Sequence, residues 1–127
     1  MRTIKAWVMV LLLAISLTLP LGKQTYAASL ESMLATLDQT TYGSTHSEKS
    51  YKEVLDVLSG RCTENRMKIG DWTVTGTKLL REHGGNIDNF NLLKGVVQST
   101  EGRSNLSCKE EFQSYSTLRL FDLLNAG

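Results

Sequence analysis

Proline occurs once in this chain, at Pro20, and no long run of proline, glycine or serine follows it. Such a run would serve as a spacer between folding units, so its absence argues for one domain. Histidine and cysteine are just as scarce. His46 and His83 are far apart in sequence, neither belongs to an HExxH-type pair, and Cys62 and Cys108 are the only thiols. A zinc site needs more soft ligands than these, or a local scaffold to hold them, so neither a metal ion nor any other cofactor is expected. The chain also lacks the glycine spacing and trailing lysine of a phosphate loop, the sequence of a nucleophile elbow, and any alternating apolar and polar run of six or more residues. The first two absences remove the local signatures of nucleotide and acyl-transfer chemistry, and the third argues against a sheet.

The one long apolar run lies at the start. Arg2 and Lys5 precede the 13 residues Trp7 to Leu19, after which Pro20 and Gly22 break the helix and Thr25-Tyr26-Ala27 supplies the small residues of a cleavage site. The run is shorter than the roughly 20 residues that span a bilayer, and the order of charge, apolar body and small residues is that of a secretory signal peptide. Residues 1–27 are therefore expected to be a leader removed after Ala27, with Ala28 the neighbouring alternative. No cysteine stands near the cut to take a lipid. The competing reading is an uncleaved anchor with Arg2 and Lys5 on the cytoplasmic side.

Residues 28–127 then form the expected working domain, exported to the periplasm or the medium. Losing Arg2, Lys5 and Lys23 leaves 11 basic against 13 acidic residues and a formal charge of −2. Binding to nucleic acid draws on released counterions and needs a marked basic excess, so nucleic acid is not an expected partner. Nor does this balance favour attachment to anionic lipid, and no stable embedding in a membrane is expected once the leader is gone.

What the domain does have is helical periodicity. Leu30, Met33, Leu34 and Leu37 mark a first helix over 29–40, with a turn at 41–44. Thr45 and Glu48 have the spacing of a capping box, opening a second helix with Tyr51, Val54, Leu55 and Leu58 on one face and an end at Ser59-Gly60. Residues 63–70 are charged and aperiodic and read as a solvated connection, so a third helix is expected to start at Asp71 and stop at Gly84-Gly85, although Thr73-Val74-Thr75 could be extended. A fourth starts near Asn86 or Asp88 and carries Phe90, Leu93, Val96 and Val97. A fifth follows the capping box Ser107 to Glu110 and ends in Leu120, Phe121, Leu123 and Leu124. That apolar end predicts either the deepest part of a bundle or a docking surface. The fold class is thus all-α, a small bundle of about five short helices.

In an oxidising compartment Cys62 and Cys108 can form one intrachain disulfide. No catalytic residue is assigned. His46, in the first turn of a helix, reads as solvent-exposed, and His83, at a helix end, is accounted for by the dipole. The leading expectation is an exported, non-enzymatic protein-binding or accessory factor whose partner is another protein. Its candidate binding residues are Arg61, Arg66, Lys68 and Trp72, around the disulfide-linked connection. One alternative is a carrier of a small apolar ligand, lined by residues such as Phe90, Val97, Phe112, Tyr115 and Phe121. Another is a small exported enzyme using His46 or His83.

Overall fold

A computed structural model describes residues 29–126. The leader, residues 1–27, and its cleavage point lie outside the described residues. Five helices follow in order: α1 (Leu30–Tyr42), α2 (Glu48–Arg61), α3 (Arg66–Glu82), α4 (Asn89–Ser99) and α5 (Cys108–Ala126). Among the described residues none is long and apolar enough to cross a membrane. The described residues form an all-α bundle of five short helices, as the periodicity predicts, with one disulfide between the two cysteines.

The shortest helix is the centre of the bundle. α4 touches all four others, while α3 packs along α5 and α1 along α2. Its residues Leu92, Leu93 and Val96 are fully buried, and Leu55 and Leu58 of α2, Ile69 and Leu80 of α3, and Phe112 of α5 join them in one core. Glycine permits the tightest approach of α5. A Cβ on Gly95 would fall 2.1 Å from the Tyr115 hydroxyl, so the Tyr115 ring can cross α4 only because Gly95 has no side chain.

Local chemistry moves several helix ends from their expected places. Ser47, rather than Thr45, caps α2 by accepting the Ser50 N–H at 3.1 Å. The helix then runs through Gly60 to Arg61, with Cys62 extended as its C-cap. α3 begins five residues before Asp71, because Asn65 accepts the Lys68 N–H at 3.0 Å and serves as the cap. The stretch 63–70 is therefore not a solvated connection. Ile69 and Gly70 are buried, Leu30 of α1 filling the space where a Gly70 side chain would stand. Thr73, Val74 and Thr75 are helical, with the Thr73 hydroxyl donating to the Ile69 carbonyl at 2.7 Å. Gly43 and Gly84 close α1 and α3 in the left-handed conformation, as their positions in the sequence suggest.

The disulfide joins the end of α2 to the start of α5, with Cα atoms 5.3 Å apart. Backbone bonds reinforce it. Thr63 N–H donates to Leu106 C=O at 2.9 Å and Leu106 N–H to Arg61 C=O at 2.8 Å, making a single parallel bridge beside the sulfurs. The first N–H of α5 goes to the Glu64 carboxylate at 3.0 Å.

Candidate functional site

A buried helix cannot leave its end groups to water, so α4 needs partners at both termini. At its N-terminus Asp38, fully buried on α1, accepts the Asn89 N–H (2.9 Å), the Asn89 side-chain amide (2.9 Å), the Phe90 N–H (3.1 Å) and the Tyr51 hydroxyl. Asp88, the N-cap, accepts the Asn91 N–H at 2.8 Å. Two carboxylates thus meet the positive end of the helix dipole. At the other terminus Arg61 of α2 donates to the Val97 carbonyl at 2.6 Å and the Thr100 hydroxyl at 3.0 Å, a cation at the negative end.

His46 belongs to the first of these clusters. Its Nε2 lies 2.9 Å from Asp88 Oδ2, and its ring stacks on Phe90 with centroids 4.3 Å apart. It is half-buried, not the solvent-exposed residue its place in a capping sequence suggests, because Ser47 takes the cap and frees His46 to turn inward. Burial works against the charge on Asp88, but the nearby Ser44 hydroxyl, the Asn91 N–H and His46 outweigh it and hold the carboxyl below its ordinary range. Tyr51 is pushed in the opposite direction, first by burial and then by its hydrogen bond to Asp38 and the charges of Asp38 and Asp88. These groups are occupied in joining α1, α2 and α4. His83 is exposed at the far end of α3, bonded through Nδ1 to the Leu79 carbonyl at 2.9 Å, so the two histidines share no site.

Cys62, Glu64 and Cys108 bring their ligand atoms within 4.8 Å of one another. Both sulfurs are committed to the disulfide and offer no thiolate, and Glu64 is committed to the N-terminus of α5.

The four residues singled out around this connection have separate occupations. Arg61 caps α4. Arg66 pairs with Glu31 of α1 and, at 2.5 Å, with Asp56 of α2. Lys68 is exposed without an ion pair among the described residues, and Trp72 is half-buried with its ring 6.2 Å from that of Phe112. Of the carrier-type residues, Phe112 is in the core with Phe90, Val97 and Tyr115 packed against it, while Phe121 is 64% exposed.

Two other surfaces stand out. One is an open groove of about 440 Å³ between α1 and α3, walled by Leu30, Leu34, Leu37 and Val74, with Met33 (50% exposed) and Met67 (59% exposed) at its rim. Half of it was visible as the apolar stripe of α1. On the other wall Val74 lies in the helix expected from Asp71 onward, whereas Met67 lies in the stretch 63–70 that shows no helical periodicity. The second is the C-terminal half of α5, where Leu118 and Leu124 are as open to solvent as Phe121. The dense apolar end is therefore not the deepest part of the bundle.

No family model, curated protein or solved structure matches this chain.

Proposed function

We propose that this chain, after export to the periplasm or the medium and removal of its leader, works as a non-enzymatic binding factor that receives an apolar helix of a partner protein in the α1–α3 groove. The observation that carries the reading is the pair of half-exposed methionines on the rim of an apolar trough open to solvent. Exposed large apolar side chains grouped on one concave surface favour association, because covering them removes apolar area from water at roughly 25 cal/mol per Å². Methionine suits this place: its unbranched thioether adapts to different partner shapes. Leu30, Met33, Leu34 and Leu37 follow the i, i+3, i+4, i+7 spacing, so the trough runs along two turns of α1 and suits a helix laid lengthwise. Export is supported by the form of the leader and by a disulfide suited to an oxidising compartment.

The test is site-specific capture. Mature protein carrying a photoreactive side chain at position 67 is expected to cross-link one partner protein from its native envelope or culture fluid. The double variant Met33→Lys, Met67→Lys, altered only at exposed positions, is expected to lose that partner while keeping its circular dichroism spectrum and melting temperature. Undiminished capture by the double variant, or a copurifying small molecule in place of a protein, overturns the reading.

A further inference from the structure

The geometry points to a second, chemically different site: the polar groove of about 360 Å³ between α4 and α5 binds a monosaccharide-sized anion, a uronic acid or a sugar phosphate, through Lys94, Arg119 and Tyr115. This site is independent of the α1–α3 groove. The cations set it apart. Among the described residues Arg61, Arg66, Arg81 and Arg103 are each held by a backbone carbonyl or a carboxylate. Arg119 has no such partner among the described residues, and neither has Lys94, which lines the same groove from the opposite helix. Asp122, in the adjoining groove beside Arg119, makes no ion pair with it. Two uncompensated cations on facing walls favour one ligand bearing several anionic oxygens.

The remaining wall suits the rest of such a ligand. Asn86, Asn91 and Gln98 offer amides, and the Nδ2 of Asn91 is already donated to Asp88 at 2.8 Å, which leaves its carbonyl oxygen to accept from a ligand hydroxyl. The Tyr115 hydroxyl lies over the bare backbone of Gly95, lines the groove and has no hydrogen-bond partner among the described residues. An alternation of amides, a phenol and cations matches sugar hydroxyls plus an acid group far better than it matches an apolar molecule. The volume is within the usual range of small-ligand sites, about 300–1,000 Å³.

The experiment is an NMR titration of the oxidised mature chain with glucuronate, glucose 6-phosphate, neutral glucose and inorganic phosphate. Saturable shifts centred on the amides of Lys94, Gly95, Gln98 and Tyr115 are expected with one or both sugar acids. A response to glucuronate alone assigns a carboxylate ligand, and to glucose 6-phosphate alone a phosphate ester. Lys94→Ala and Arg119→Ala, both at exposed positions, are each expected to weaken binding about tenfold or more, the loss of one charge-assisted contact. Tyr115→Phe is expected to weaken it without shifting the melting temperature. The proposal is overturned if neither acid saturates, if glucose or inorganic phosphate binds as tightly as the sugar acids, or if both cation variants bind like the parent.

Discussion

Asp38 shows how a single side chain can hold three helices together. Its carboxylate takes four donors from α2 and from the start of α4 while wholly removed from water, so truncating it strands those donors in the core. Asp38→Ala is expected to destabilise by about 3 kcal/mol or more in urea unfolding, given a penalty of about 1–3 kcal/mol for each buried group left unpaired. Thr77 is the converse case, a fully buried hydroxyl with no hydrogen-bond partner among the described residues. Thr77→Val keeps the shape and removes the unsatisfied group, and is expected to raise stability by about 1 kcal/mol on the same scale. Nothing in the sequence around Asp38 marks it, since an aspartate near a helix end normally faces water. His46 was hidden for a related reason: whether it caps, pairs or points outward depends on Asp88, 42 positions away.

At the scale of the helix, charge and exposure divide the elements into buried and open parts. α4 is matched to a cation at its C-terminus, and Arg61→Ala is expected to cost about 1.5–3 kcal/mol, the range for hydrogen bonds from charged groups. Along α5 the same kind of substitution is expected to have opposite consequences at the two ends. Phe112→Ala, in the core, is expected to lose about 3–5 kcal/mol, whereas Phe121→Gln, at an exposed position, is expected to stay within about 0.5 kcal/mol. Parallel thermal melts of the two variants check this. The periodicity of α5 showed that apolar residues crowd its end but not which of them find a neighbour. The start of α3 is hidden in the sequence because Asn65 is an unobtrusive cap followed by charged residues, and the space beside Gly70 is filled only by Leu30 from a distant helix.

For the whole molecule, the disulfide and the titrating groups set the limits of stability. Closing a loop across 46 positions restricts the unfolded chain, and reduction, or Cys62→Ala with Cys108→Ala, is expected to cost roughly 4 kcal/mol, read as a fall in the unfolding midpoint. The pH limits follow from the shifted groups. Burial opposes the charge on Glu64 and Asp88, yet their hydrogen bonds hold both below their ordinary values of 4.5 and 3.8. Their stabilising contribution is present above those values and is lost as pH falls through the lower folded-state values. Tyr51 is raised, so it keeps its proton in the folded protein after the unfolded chain begins to ionise near 10.0, and stability falls as pH rises beyond that point. Unfolding free energy plotted against pH is expected to show a plateau between these limbs, with Tyr51→Phe losing the alkaline one. The sequence by itself determined the helical class, the number of helices and the pairing of the two cysteines, because periodicity, turn glycines and a count of two thiols are local or countable properties. Only the tertiary structure decided which helix is central, which charges are spent on its ends, and which apolar and cationic side chains stay open to a ligand. Those outcomes depend on what each group meets across the bundle, and contacts between residues distant in the chain carry no signal in either one's immediate neighbours.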